Sequence, residues 1–205
     1  MPDRDRRPGR AAPGVPRLFV AVPVPPPMAK EIEGIVDRVR AALGPDAQRV
    51  RWVQMEGLHL TLRFLGPTPA GQVEAVASAV AQAAGAIPGP FLVRIGGAGV
   101  FPDPERPRAL WLGIRSGADK LGQLSLAVTD RLAEAGWALD PRPFQPHLTI
   151  ARTDGVRAGA EAGHELVALA ADFDLEFTVD RLVLYRSHLG HGAARYEELR
   201  SVPLG

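Results

Sequence analysis

Two short segments of this 205-residue chain have the same pattern, a histidine followed two residues later by a threonine, with aliphatic residues between and after them. The first begins at His59 (HLTL) and the second at His147 (HLTI). Because side chains alternate between the faces of a strand, each segment places an imidazole and a hydroxyl on one face and aliphatic side chains on the other. The sequence therefore predicts two strands, each with one polar face and one apolar face.

Each histidine ends a similar succession of predicted elements. The first succession is a strand at residues 17–22 (RLFVAV), a helix and a short strand, and the second is a strand at 109–114 (ALWLGI), a helix and a short segment (WALD). Phe19 precedes His59 by 40 residues, and Trp111 precedes His147 by 36. This spacing predicts two copies of one βαββ-like unit.

Two such units predict an α+β fold with two mainly antiparallel sheet lobes, related by a pseudo-twofold axis, with helices outside and a central cleft. Apolar residues at helical spacing predict helices at 28–43, 69–84, 121–135 and 158–171. Alternating or β-branched runs predict strands at 50–53, 58–65, 91–95, 147–152, 173–177, 180–187 and 196–202. The glycine-rich run 96–99 lacks the Lys-Ser/Thr of a phosphate-binding loop and predicts a bend after a strand.

Residues 1–16 are rich in Arg, Pro and Gly, which predicts a disordered tail followed by a single domain at 17–205 built from the two lobes. A nucleic-acid-binding arm is the alternative for the tail. The whole chain carries +1 and the tail +2, which leaves −1 for the domain. A nucleic acid bound by the domain therefore has to be held by a local cluster of side chains.

Several classes of protein are excluded by composition. The chain has no cysteine, so it has no disulfide, thiolate nucleophile or Cys-ligated metal. No apolar run approaches the ~20 residues of a membrane span, and the N-terminus lacks the apolar region of a secretory signal. We therefore expect a cytoplasmic protein with no membrane partner. A monomer is the further expectation, although the sequence does not give the oligomeric state.

Two imidazoles that face each other across a cleft suit the cleavage of a cyclic phosphodiester. With a pKa of ~6.5, one histidine takes a proton from water while the other gives a proton to the leaving oxygen. Thr61 and Thr149 are placed to donate hydrogen bonds to the phosphate oxygens, where negative charge develops. Without a third His, Asp or Glu on the same face the pair makes a poor metal site, so we expect neither a metal nor a cofactor.

The flanking residues carry a resemblance to a known family. The segments RLFVAV, WVQMEGLHLTLRFLG, GGAGVFP, RPRALWLGI, RPFQPHLTIAR and DRLVLYRSHLG together resemble the two-histidine (2H) phosphoesterases, in particular the bacterial RNA 2′,3′-cyclic phosphodiesterases, also called 2′-5′ RNA ligases. The resemblance implies a bilobal α+β fold and metal-free hydrolysis of RNA 2′,3′-cyclic phosphate ends to 2′-phosphomonoesters, with weak reversible 2′-5′ ligation. It places catalysis on His59 as acid and His147 as base, with Thr61 and Thr149 on the phosphate.

Two arginines are further candidates for phosphate binding. Arg152 matches the arginine that follows the second motif in the family that the chain resembles. Simple alternation nevertheless puts it on the face opposite His147, unless a bulge or the strand end redirects it. Arg63, four residues after His59, falls on the catalytic face by the same alternation, either as a phosphate ligand or as a solvated charge at the rim. The alternation places Phe64 in the core.

Phe144, just before the second motif, is a candidate for stacking on a nucleobase, and core packing is its alternative. Trp111 is expected in the core. Other functions remain open at the level of sequence. They are a 2H enzyme for ADP-ribose 1″,2″-cyclic phosphate or 2′-5′ oligoadenylate, and an RNA-end-binding module without catalysis.

Overall fold

A computed structural model describes residues 15–139, 143–153, 157–188 and 194–205. The predicted disordered tail lies outside the described residues except for its last two, so both its disorder and the division into tail and domain stay predictions. The described residues form two antiparallel sheets with four α-helices. The α+β prediction is therefore confirmed.

The strands are, in chain order, β1 (Arg17–Pro23), β2 (Arg51–Trp52), β3 (His59–Pro67), β4 (Phe91–Phe101), β5 (Ala109–Ser116), β6 (Leu148–Arg152), β7 (Asp174–Val179), β8 (Arg181–His188) and β9 (Arg195–Pro203). The helices are α1 (Pro26–Leu43), α2 (Val73–Gly85), α3 (Ala118–Glu134) and α4 (Arg157–Leu169). Each predicted helix and strand is present, although β4 is much longer than expected. Residues 137–139, the described part of WALD, form no strand.

The two repeated units keep their central strand pairs but are interleaved. One sheet has the order β3-β1-β8-β9 and the other the order β2-β6-β5-β4-β7. Each unit thus contributes one adjacent antiparallel pair, β1 with β3 and β5 with β6. The short β2 follows β1 in sequence yet pairs with β6 in the second sheet, and β8 and β9 return to the first. The two sheets are therefore tied to each other by strands as well as by loops.

The helices cover one side of each sheet. Helices α2 and α3 pack on the four-stranded sheet, while α4 packs on β4 and β5 and carries α1. The predicted apolar stripes are buried, those of α1 and α3 at Ile32, Ile35, Val36, Val39, Leu121, Leu124, Val128 and Leu132. Each such side chain contributes about 1.5–3 kcal/mol on burial. The outer position of the helices leaves the other face of each sheet open. No helix of the described residues is long and apolar enough to cross a bilayer.

A bulge in β3 reverses the predicted alternation after the first His-x-Thr motif. Ala21 lies opposite Thr61 and Val20 opposite Arg63, so that Leu62 is an extra residue on β3. Phe64 consequently lies opposite Phe19 and away from the helices, with 53% of its surface exposed. The prediction that Phe64 packs in the core is wrong because the alternation does not survive the bulge.

The glycine-rich run lies inside β4, so the predicted bend after a strand is also wrong. The pairing with β5 shifts between Ile95 and Ala98, and Gly97 takes the left-handed conformation with φ +69°. Gly99 lies directly beneath the ring of Trp111, where an added Cβ would overlap the indole. The glycines allow β4 to kink and to approach an aromatic side chain without ending the strand.

We expect Gly99→Ala to lower the free energy of unfolding by about 1–3 kcal/mol, the usual cost of forcing a methyl group into a packed site. Gly34→Ala is the matched control. Gly34 lies exposed within α1, and an added Cβ there meets no atom within 4 Å. That variant should be more stable by about 0.5–1 kcal/mol. Urea unfolding of both proteins measures the difference, and equal stability of the two would contradict the packing described for Trp111.

Candidate active site

His59 and His147 are each held by an equivalent hydrogen bond to a backbone carbonyl two residues earlier. Nδ1 of His59, at the start of β3, donates to the carbonyl oxygen of Gly57 at 2.6 Å. Nδ1 of His147, immediately before β6, donates to the carbonyl oxygen of Gln145 at 2.7 Å. A carbonyl only accepts hydrogen bonds, so Nδ1 carries a hydrogen in both protonation states. The Nε2 atom of each ring is therefore the one that gains and loses a proton.

His59 lies among aromatic side chains on the open face of the four-stranded sheet. Its ring centroid is 4.8 Å from that of Phe19, 5.8 Å from that of Tyr185 and 4.8 Å from that of Tyr196, which meets it edge-on at 84°. Phe19 and Tyr185 are stacked on each other at 5.2 Å. These rings fix the plane of the imidazole and exclude water from most of it.

His147 has an equivalent setting on the five-stranded sheet. Phe101 meets its ring nearly perpendicularly at 5.1 Å, and Trp111 lies at 6.2 Å. Trp111 is half-buried on the open face of the sheet, and its Nε1 has no hydrogen-bond partner within the part of the chain that the structure describes. The expectation of Trp111 as a core residue is met only in part, because one side of its ring packs against the site.

The pKa of both histidines is lowered from the ordinary value of 6.5. Burial is the main cause for each, because it disfavours the imidazolium. The hydrogen bonds to Gly57 and Gln145 raise the pKa and the positive charge of Arg152 lowers it. His59 is the more deeply buried of the two. In the free protein both rings are therefore biased toward the neutral form.

A second bulge brings Arg152 to the site. In the pairing of β5 with β6, Trp111 lies opposite Thr149 and Leu110 opposite Ala151, so that Ile150 is an extra residue. The bulge puts Arg152 on the same face as Thr149, in contrast to simple alternation. Its side chain is exposed, and its charge acts on both histidines. One guanidinium thus lies within electrostatic reach of imidazoles from both sheets.

Arg63 is turned away from the site. The bulge at Leu62 places it opposite Val20 on the helix-covered side, where its guanidinium donates a hydrogen bond to the carbonyl of Ala138. The prediction that Arg63 lies on the same face as His59 is wrong because the bulge at Leu62 interrupts the alternation. The same bulge overturns the prediction for Phe64. The arginine that remains beside the histidines is Arg152.

Thr61, Thr149 and Phe144, the remaining predicted residues, are all half-buried. Thr61 and Thr149 are half-buried on the open faces of their sheets, Thr61 opposite the small side chain of Ala21. Phe144 is half-buried and packs against the main core. Among the described residues no group of three or more His, Cys, Asp or Glu side chains is placed to hold a metal ion.

The aromatic neighbours of the histidines were missed by the sequence analysis. Phe19, Tyr185 and Tyr196 lie in predicted strands, Phe101 lies beyond the predicted strand at 91–95 and the predicted bend, and nothing in their local pattern sets them apart. The strand order β3-β1-β8-β9 brings Phe19, Tyr185 and Tyr196 to His59, and Phe101 contacts His147 from β4 of the other sheet. That order is a property of the fold and is not visible in any single segment.

The two sheets meet where β3 lies against β6, so the strands that carry the two motifs are neighbours in space. Two imidazoles, two threonines and one arginine are therefore carried by neighbouring strands, and side chains of these types are able to transfer protons and to bind a phosphate group. Residues 24–191 match the 2′-5′ RNA ligase superfamily. The chain belongs to this family of 2H phosphoesterases, and the predicted resemblance is confirmed.

Individual relatives agree with this assignment. An Escherichia coli protein named RNA 2′,3′-cyclic phosphodiesterase is 31% identical over 185 residues, which are 90% of this chain and 94% of the relative. A Bacillus subtilis protein of the same name is 28% identical over 186 residues, with the same coverages. A Geobacillus stearothermophilus protein of that name is 32% identical over 188 residues, or 91% of this chain, but this chain spans only 56% of its length.

Solved structures are similar over nearly the whole chain. The crystal structure of E. coli LigT complexed with 3′-AMP superposes with a TM-score of 0.71 at 28% identity, covering 93% of this chain and 98% of the other. The crystal structure of TT0787 of Thermus thermophilus gives a TM-score of 0.69 at 25% identity, covering 92% and 97%. The similarity covers both sheets, so it includes both His-x-Thr strands.

We expect Arg152→Gln to raise the pKa of both His59 and His147, because it removes a positive charge that opposes the imidazolium. NMR titration of the ring C–H resonances measures both values in one experiment. Arg94→Gln is the matched control, since Arg94 pairs with Asp174 and Glu176 at the β4–β7 side of the second sheet. A rise in the pKa of neither histidine would contradict the placement of Arg152 within electrostatic reach of both.

Proposed function

We propose that this chain hydrolyses the 2′,3′-cyclic phosphate ends of RNA to 2′-phosphomonoesters, by acid–base catalysis between His59 and His147 and without a metal. The observation that carries the proposal is the matched pair of Nδ1–H···O=C bonds, which leaves an Nε2 free in each of two His-x-Thr motifs. The name RNA 2′,3′-cyclic phosphodiesterase, shared by the relatives, supports the substrate. A monomeric, cytosolic enzyme remains a prediction from the sequence.

His147 is the base and His59 the acid in this mechanism. The less buried ring of His147 is the better placed to receive a water molecule, whose proton it takes. As the new O–P bond forms, the bond from phosphorus to the 3′-oxygen breaks, and His59 gives its proton to that oxygen. The phosphate remains on the 2′-oxygen. An RNA 5′-hydroxyl in place of water yields a 2′-5′ linkage by the same two transfers.

The bound phosphodiester completes the electrostatics of the site. Burial and Arg152 disfavour the imidazolium in the free protein, and an anion between the rings opposes both effects. The acid is therefore charged when substrate is present. Thr61, Thr149 and Arg152 donate hydrogen bonds to the non-bridging oxygens, where charge builds up in the transition state.

Phe64 is the aromatic side chain that we assign to the substrate's nucleobase. It is exposed, lies on the same sheet face as His59 and Thr61, and has its ring 5.9 Å from that of Phe19. An exposed ring beside a phosphate site offers a surface on which a base stacks. Phe144, the candidate from sequence, packs half-buried against the core and suits that role less well.

The assay is an RNA oligomer with a 2′,3′-cyclic phosphate end, incubated with the protein in EDTA, with the position of the product phosphate determined by NMR. We expect a 2′-phosphate and full activity in chelator. ADP-ribose 1″,2″-cyclic phosphate and 2′-5′ oligoadenylate are run in parallel, and faster turnover of either would replace RNA ends as the substrate. His59→Ala and His147→Ala should each lose at least ~10²-fold in kcat.

The pH dependence of kcat/KM should be bell-shaped, because one imidazole has to be neutral and the other charged. Since the pKa of both histidines is lowered in the free protein, the bell is expected to be centred below pH 6.5. Loss of activity in EDTA would contradict the metal-free mechanism. Near-normal turnover of either alanine variant would remove that histidine from it.

We expect Phe64→Ala to raise KM for a cyclic-phosphate dinucleotide by about 5–100-fold with little change in kcat, since stacking on an aromatic ring contributes ~1–3 kcal/mol per base. Phe64→Trp should keep the low KM. Phe144→Leu is the control, and its KM should stay near that of the unmodified protein. An unchanged KM in Phe64→Ala would show that the base lies elsewhere.

A further inference from the structure

Tyr196 reaches the site from the far side of its sheet. It lies on β9, at the opposite end of the order β3-β1-β8-β9 from His59. Its ring nevertheless meets the His59 ring edge-on with a centroid distance of 4.8 Å, and the Phe19 ring at 5.3 Å and 80°. A contact across the whole width of the sheet requires the sheet to curve around its open face. Tyr196 thereby covers a side of His59 that β1 and β3 leave open.

The same ring packs against the residue that holds His59 in place. A Cβ added to Gly57 would lie 2.9 Å from Cδ2 of Tyr196, so the tyrosine occupies the space that a side chain would take there. The carbonyl oxygen of Gly57 accepts the hydrogen bond from Nδ1 of His59. Tyr196 therefore contacts both the imidazole and the backbone that fixes its orientation.

The hydroxyl groups of Tyr196 and Tyr185 differ in their hydrogen bonding. The Tyr185 hydroxyl donates to the carboxylate of Glu198 at 3.3 Å, whereas that of Tyr196 makes no hydrogen bond to another residue in the described part of the chain. Burial raises the pKa of Tyr196 and the charge of Arg152 lowers it, so the phenol lies within electrostatic reach of Arg152. A phenol with a raised pKa stays neutral at working pH and is no base.

We propose that Tyr196 is a positioning residue for His59, which holds the imidazole against Phe19 and keeps water from that ring alone. The proposal rests on the two-histidine mechanism above and adds a residue that acts on one of the two histidines. The rings around His147 are Phe101 and Trp111, on strands β4 and β5 of the other sheet. The burial of His59, and with it the low pKa of the acid, thus depends on β9.

The test compares Tyr196→Ala with Tyr196→Phe. Without the ring, water reaches His59, so its pKa by NMR titration should rise toward 6.5 while that of His147 stays unchanged. The kcat should fall by about 10–10²-fold, as expected when a reacting group is displaced by about 1 Å. Tyr196→Phe keeps the ring and should keep both the pKa and the rate. Gly57→Ala pushes the ring away and should resemble Tyr196→Ala.

Leu199→Ala separates positioning from a general loosening of β9. Leu199 lies on the same strand but packs against the main core, so its truncation should lower stability and leave the pKa of His59 unchanged. An unchanged His59 pKa and kcat in Tyr196→Ala would overturn the proposal. So would a rate loss in Tyr196→Phe with normal pKa values, which would assign the role to the hydroxyl. The titrations need no turnover, so they test Tyr196 even if the chain fails to cleave cyclic phosphates.

Discussion

A hydrogen bond from an imidazole to a backbone carbonyl decides which nitrogen titrates in His59 and in His147. The carbonyls of Gly57 and Gln145 accept from Nδ1 and so fix the tautomer, the ring plane and the identity of the titrating nitrogen. Each acceptor precedes its histidine by two residues, so the tether is local and nearly identical in the two copies. The rest of the structure places the two tethered rings at the beginning of neighbouring strands, β3 and β6.

The aromatic rings and Arg152 act on these tethered imidazoles as a common environment. Both lower the pKa of the two histidines, the rings by excluding water and the arginine by its charge, and so favour the neutral imidazoles. The surroundings are unequal in one respect. His59 is more deeply buried, and three of its ring neighbours come from β1, β8 and β9. The two rings therefore differ in their access to water, although both are tethered in the same way.

Much of the fold could be predicted from the sequence, because helices and strands with one buried face carry their period in the order of residues. The histidine–threonine pairs followed from the same alternation. Prediction failed where an extra residue interrupts the alternation, at Leu62 and at Ile150. These bulges turn Arg63 away from the site, bring Arg152 into it and expose Phe64. The order of strands in the sheets brings Tyr196 into contact with His59. It could not be predicted, because non-local strand pairing leaves no periodic signal in the sequence.

The pairing of β2 with the second sheet affects how the two sheets are able to move relative to each other. Arg51 and Trp52 form ladder hydrogen bonds with the end of β6, although the strands on either side of them in sequence belong to the first sheet. A hinge between two bodies needs a boundary that few contacts cross, and this pairing crosses it. A motion of the two sheets as separate rigid bodies would therefore have to break the pairing of β2 with β6.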